Sequence, residues 1–182
     1  MKFNKLPLKE AYLIDLISLA DKRGFFERLY CQKEFGLIGF NKKIVQINYT
    51  FSKKIGTIRG LHFQKAPFTE AKVVTCLHGK VFDVIVDLRQ KSPTYLKWHG
   101  EILSERNHKM LYIPEGFAHG LETLTDNCSM LYFHSNFYRK ISESGIKYDD
   151  PSIGIKWPLE LGIISKKDKK LPYVSKIFKG LK

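Results

Sequence analysis

Two segments of this chain gather residues able to bind or to move protons. The run Gly56-Thr57-Ile58-Arg59-Gly60-Leu61-His62-Phe63-Gln64 sets an arginine and a histidine between and beside glycines in a strand-like stretch. Lys72 follows ten residues after His62. The run Pro114-Glu115-Gly116-Phe117-Ala118-His119-Gly120 supplies a second histidine, and Tyr132 comes after it. Histidine titrates near neutrality, so His62 is a candidate base. Lys72, with Arg59, is a candidate for stabilising an oxygen that gains negative charge.

The elements that must position these groups read as strands. Phe82, Val84, Val86 and Leu88 alternate with Val81, Asp83, Ile85 and Asp87, giving one wholly apolar face and one mixed face. His78-Gly79-Lys80 separates this run from KVVTCL, which predicts a hairpin. Leu131 and Phe133 alternate with Met130, Tyr132 and His134, and Ile47, Tyr49 and Phe51 with Gln46, Asn48 and Thr50. Short strands between turns such as Lys91-Ser92-Pro93 and Pro114-Glu115-Gly116 predict an antiparallel sandwich or barrel. Helical periodicity is weak, with short pieces expected at Gln32–Phe35 and near Ser104–Asn107, where Ser104 could cap. On three strands the polar face carries Gln46/Asn48/Thr50, His62/Gln64 or Tyr132/His134 in place of the usual surface Lys and Glu. Polar groups converging in a barrel mouth are a ligand-site signature.

The 182 residues suit one domain with a proper core, expected to span residues 1–182. A hydrophobic content of 43% excludes a disordered chain. No apolar run reaches the length of a membrane helix. Acidic residues interrupt the apolar stretch of MKFNKLPLKEAYLIDL, so no signal peptide is expected. Cys31, Cys76 and Cys128 are sparse and far apart, and read as free thiols of a reducing cytoplasm. The net charge of +13 taken alone suggests a polyanionic partner. It is unevenly spread: residues 163–182 hold seven lysines against the single Asp168 and read as a solvated tail.

The sequence resembles the dTDP-4-dehydrorhamnose 3,5-epimerases, cupin-fold enzymes of nucleotide-sugar synthesis. Arg59-Gly60-Leu61-His62-Phe63-Gln64 and Ile113-Pro114-Glu115-Gly116-Phe117-Ala118-His119-Gly120 carry the resemblance most specifically. Asp21-x-Arg23-Gly24-Phe25-Phe26, Val45-Gln46-x-Asn48, Ala71-Lys72-Val73-Val74, Leu131-Tyr132 and Asp150-Pro151-x-Ile153-Gly154 extend it over most of the chain. It implies an all-β, cupin-type double-stranded β-helix (a jelly roll) with short peripheral helices. The implied reaction inverts carbons 3 and 5 of a nucleoside-diphosphate 4-keto-6-deoxyhexose. That chemistry agrees with the residues: a proton beside a ketone is removed from one face and another returned to the opposite face.

The resemblance gives His62 the role of base, Asp168 that of the carboxylate orienting it, and Tyr132 that of the acid on the opposite face. Arg23, Phe26, Gln46, Asn48, Arg59, His119 and Tyr138 match substrate contacts, with Arg23 and Phe26 completing a neighbouring subunit's site in a homodimer. Arg28 stands where many members have glutamate, and Tyr148 where tryptophan is usual. No cofactor is implied, since the reaction has no net redox change. A metal is not expected, because His62-Phe63-Gln64 lacks the HxH pair of cupin metal sites. His78, His99, His108 and His134 read as turn or surface residues, His134 sharing a face with Tyr132. The expected partner is a small nucleotide sugar, with no nucleic acid or membrane. The rivals are a monofunctional epimerase or ketoisomerase on another 4-keto sugar nucleotide and, from another class, a non-catalytic basic binding module.

Overall fold

A computed structural model describes residues 1–174 and 180–181. In chain order the strands are β1 (Lys2–Lys5), β2 (Tyr12–Asp15), β3 (Leu19–Asp21), β4 (Gly24–Phe26), β5 (Gln46–Ser52), β6 (Thr57–Gln64) and β7 (Lys72–His78). They continue with β8 (Lys80–Asp87), β9 (Trp98–Ser104), β10 (Lys109–Ile113), β11 (Phe117–Thr123), β12 (Cys128–His134), β13 (Glu143–Gly145) and β14 (Ile163–Ile164). Two short helices, α1 (Gln32–Gly36) and α2 (Lys166–Lys169), lie at the periphery.

One sheet has the order β1-β2-β10-β7-β12-β5, and the other β13-β6-β11-β8-β9, with β14 added along β6. Among the described residues, the strands pair antiparallel except β14 on β6, and a single parallel bridge joins Arg89 to Leu181. The two sheets face each other as a jelly roll. Val74, Leu111 and Met130 from one sheet meet Val81, Ile85 and Leu121 from the other in a buried core. Strands rich in Val and Ile suit this arrangement, because branched side chains pack on a pleated surface.

Both faces of the central strands are covered. Val84, Val86 and Leu88, on the wholly apolar face of β8, point outward under Ile146, Ile153 and Trp157. The mixed face points inward, so Asp83 and Asp87 are buried with Val81 and Ile85. The outer side of the other sheet is capped by α1 and the chain after it, through Phe35 and Phe40. The apolar side of β5 is not covered in this way: Ile47, Tyr49 and Phe51 are exposed.

Two expected elements differ. His78-Gly79-Lys80 is not a hairpin, since β7 pairs with β10 and β12 while β8 pairs with β9 and β11. Gly79, at φ 78°, instead sends the chain from one sheet to the facing one. A Cβ there would lie 2.7 Å from Thr125 Oγ1 and 2.8 Å from Cys128 Sγ, so the corner requires glycine. The buried Cys76 and Cys128 thiols donate to backbone carbonyls around this corner. All three cysteines are free, and burial pushes the Cys76 thiol up to about 12. The second difference is Ser104–Asn107, which is a turn. Asn107 Oδ1 accepts from the Ser104 N–H, and the Asn107 N–H donates to both Ser104 Oγ and Ser104 O, so side chains close a single turn that does not continue as a helix.

The lysine-rich end is also more ordered than a solvated tail. Ile163 and Ile164 pair with Thr57 and Ile58, and Ser165 caps α2 by accepting from the Asp168 N–H. Lys176, Lys179 and Lys182 lie outside the described residues.

Strands β6 and β11 approach closely beside the site. His119 stands opposite His62, and the register shifts just after it. Gly60 has φ 114°, and a Cβ on it would lie 2.7 Å from both Gly120 Cα and His119 O. Both contacts are with the backbone of β11, which leaves no flexible group to yield. Gly60→Ala is expected to lower the unfolding free energy by about 2–4 kcal/mol, combining overpacking with an unfavourable φ. Urea denaturation checks this, and an unchanged midpoint would refute it.

Candidate active site

A pocket of about 340 Å³ opens between the two sheets. Sheet β13-β6-β11-β8-β9 contributes Arg59, His62 and His119, and the facing sheet contributes Asn48, Thr50, Lys72, Tyr132 and His134. Lys167 and Asp168 close one side from α2. A larger hollow of about 890 Å³ lies elsewhere, lined by Phe40, Lys42, Arg89 and Glu115 among others, but it holds no histidine.

His62 Nε2 lies 2.7 Å from Asp168 Oδ1. Asp168 is buried although its neighbours on α2 are lysines. It is seated by the parallel β14, which fixes the start of α2 along β6, and it also accepts from the Gly60 N–H at 3.4 Å. Burial alone would raise the Asp168 carboxyl. Its bond to His62, the charge there, the Gly60 N–H and Ser165 outweigh that and hold it below the ordinary value. An ionised Asp168 keeps the proton of His62 on Nε2, so the basic nitrogen is Nδ1.

Tyr132 reaches the pocket from β12, on the sheet opposite His62. Burial raises its phenol well above the ordinary value, so it stays protonated at neutral pH and can donate. Its ring stacks on His134 at 6.2 Å and meets His119 edge-on at 6.0 Å. Lys72 Nζ lies 3.2 Å from Glu70 Oε1, in a pair almost closed to solvent. Arg59 is held by Ser52 Oγ and Phe51 O.

The remaining expected contacts divide. Asn48 lines the pocket, while Gln46 stands behind it and donates to Asn48 Oδ1. Tyr138 is exposed, with its hydroxyl donating to Glu143. Arg23 and Phe26 do not line the pocket of their own chain. They sit on the exposed β3–β4 hairpin, where Arg23 pairs with Asp21. Arg28 pairs with Glu34, and Tyr148 O accepts from the Trp157 indole.

Three residues of the site escaped the sequence reading. Asp83 is fully buried and accepts from His119 Nε2 with both oxygens, at 2.8 and 3.0 Å. A carboxylate at an inward position between Val81 and Ile85 was its only signal. Glu70 belongs to no strand. Lys167, in the pocket wall, is ion-paired with Glu143. His134, read as a turn or surface residue that shares the face of Tyr132 and could border the site, does line it, and it is buried because β12 lies between β5 and β7. Among the described residues no cluster of three or more His, Cys, Asp or Glu is placed to hold a metal ion. Nor, among them, is any helix long and apolar enough to cross a membrane.

The family model for dTDP-4-dehydrorhamnose 3,5-epimerase matches residues 5–176. The dTDP-4-dehydrorhamnose 3,5-epimerase of Shigella flexneri is 42% identical over 169 residues, covering 92% of this chain and 93% of its own. The crystal structure of the enzyme of that name from Elizabethkingia anophelis NUHP1 superposes with a TM-score of 0.91 at 41% identity, covering 95% of this chain and 96% of the other. The dTDP-6-deoxy-D-glucose-3,5-epimerase of Legionella pneumophila Philadelphia 1, crystallised with dTDP-4-keto-L-rhamnose, superposes with a TM-score of 0.90 at 37% identity. It covers 94% of this chain and 92% of its own. This agreement over nearly the whole chain, together with the pocket chemistry, means that the chain belongs to the dTDP-4-dehydrorhamnose 3,5-epimerase family.

Proposed function

We propose that this protein is a cofactor-independent isomerase that inverts carbons 3 and 5 of a dTDP-linked 4-keto-6-deoxyhexose. The observation that carries the reading is the His62–Asp168 pair at 2.7 Å, with Tyr132 and Lys72 on the facing sheet. His62 Nδ1 takes the proton from carbon 5, and the electron pair of that C–H bond moves into an enolate. Lys72, with Arg59, stabilises the enolate oxygen, and Asp168 stabilises the imidazolium. As the carbonyl re-forms, Tyr132 gives its proton to the opposite face of carbon 5. Once His62 has released its proton to solvent and Tyr132 has regained one from it, His62 acts again as base at carbon 3, and a proton returns to the opposite face of that carbon. The Legionella relative, bound to dTDP-4-keto-L-rhamnose, supports this substrate class. Arg59, Gln46, Asn48, His119 and Tyr138 hold the sugar and diphosphate in this reading, and the enzyme works in the cytoplasm. Its positive site suits a diphosphate dianion.

Incubation in D₂O with dTDP-4-keto-6-deoxyglucose, followed by NMR, tests the proposal. Deuterium at carbons 3 and 5 is expected. Deuterium at one carbon only makes it a monofunctional epimerase, and migration of the ketone makes it a ketoisomerase. No exchange into this or any 4-keto sugar nucleotide, with salt-sensitive affinity for generic DNA, returns the binding module.

The active unit in this reading is a homodimer in which Arg23 and Phe26 of one copy complete the other's site. Its support is the exposed apolar surface of the β3–β4 hairpin (Phe25 and Phe26, 62% and 65% exposed) and of β5 (Ile47, Tyr49). Such surface on an isolated chain marks an interface. Sedimentation velocity is expected to give the mass of two chains. A monomer at full activity would exclude the exchange.

A further inference from the structure

A continuous hydrogen-bonded chain runs behind the pocket. Lys72 Nζ lies 3.2 Å from Glu70 Oε1, and Glu70 Oε2 lies 2.8 Å from His134 Nδ1. His134 Nε2 lies 3.2 Å from Asn48 Nδ2, and Gln46 Nε2 donates to Asn48 Oδ1 at 3.2 Å. The Tyr138 N–H donates to Gln46 Oε1 at 3.1 Å. Strand pairing makes this possible, since His134 stands opposite Lys72 on one side and Gln46 on the other.

Both ends of this chain are obligate donors: an ammonium and a backbone N–H. A carboxamide or a neutral imidazole accepts on one side and donates on the other, and so passes direction along. A chain with donors at both ends therefore needs one member that only accepts, and Glu70 is that member. Working from Lys72, Glu70 accepts twice, which sets His134 as Nδ1–H with a bare Nε2. Asn48 must then present its NH₂ to His134 and its oxygen to Gln46, and Gln46 its oxygen to Tyr138. The observed atoms meet this order at every link. The ammonium of Lys72 at 3.2 Å and the His134 ring at 2.8 Å, one on each oxygen, suit Glu70 as a carboxylate.

We propose that Glu70 and a neutral, Nδ1-protonated His134 are positioning residues for substrate binding: they fix which way the Asn48 and Gln46 carboxamides face and tie that orientation to the Lys72 ammonium. The proposal rests on the epimerase reading only in taking Asn48 and Gln46 as substrate contacts. Glu70→Gln keeps the shape but removes the all-acceptor member, so one link must become donor against donor. Protonating His134 does the same at Asn48.

Two measurements test this. In free protein labelled with ¹³C and ¹⁵N, two-bond ¹⁵N–¹H correlation at neutral pH is expected to show His134, assigned by through-bond correlation of its ring to its backbone, as the Nδ1–H tautomer. An Nε2–H tautomer or an imidazolium overturns the proposal without any variant having to fold. In Glu70→Gln, KM is expected to rise about tenfold while kcat changes less than about threefold, the scale of one lost buried hydrogen bond to a charged group. An unchanged KM, or a loss confined to kcat, overturns it. If the wild-type protein exchanges no 4-keto sugar nucleotide, the epimerase reading fails, while the tautomer still decides the hydrogen-bonded chain.

Discussion

His62→Asn is expected to end solvent-deuterium incorporation at both carbon 3 and carbon 5, with kcat falling by roughly 10²–10⁴-fold. Asparagine is smaller than histidine and its amide can still donate toward Asp168, so the pair loses its basicity while the fold is kept. Lys72 and Arg59 remain to polarise the ketone. Both nitrogens of His134 are engaged by Glu70 and Asn48, whereas Asp83 engages only Nε2 of His119, so His119 is the rival base that this experiment excludes. NMR of the sugar protons in D₂O reads both carbons at once. Exchange at the wild-type rate at either carbon would mean a different base serves it. A fall at one carbon only would split the two steps between two bases.

The second large effect is of a different kind. Tyr132→Phe is expected to reduce formation of the inverted product by roughly 10²–10³-fold while exchange at carbon 5 persists. His62 can still remove that proton, trade it with solvent, and return a deuteron to the same face. What is lost is delivery from the opposite sheet. The substitution keeps the ring that stacks on His134 and meets His119, so packing is preserved. Measuring deuterium content and stereochemistry in one sample separates the outcomes. Inversion at an undiminished rate would show that another group or water supplies the second proton. Loss of exchange together with inversion would give Tyr132 a part in the first step.

Much of this was legible in the chain. Alternation in residues 81–88 and 130–134 dictated strands, because a period of two is the only way to bury one side of an extended segment. Residue types offered His62 and Lys72 as groups able to move a proton or stabilise negative charge, and the family resemblance gave them those roles. The long strings around His62 and His119 carried the family.

What the sequence could not do was assign faces and partners. The apolar side of β8 looks outward under Trp157 and the mixed side inward, while the apolar side of β5 is left open. Alternation identifies two faces, but which one meets the core depends on what packs from elsewhere in the chain. A glycine between two strands reads equally as a hairpin or as a corner between sheets, and only long-range pairing chose the corner at Gly79. The net charge of +13 likewise conceals one buried carboxylate, Asp168, carried to His62 from 106 residues away by a two-residue parallel strand. His62 and Tyr132 face one pocket from opposite sides because the sheets bearing them are stacked, and a proton transfer across two faces of a sugar requires that stacking. Local pattern sets the strands, whereas contacts between residues distant in sequence set the chemistry.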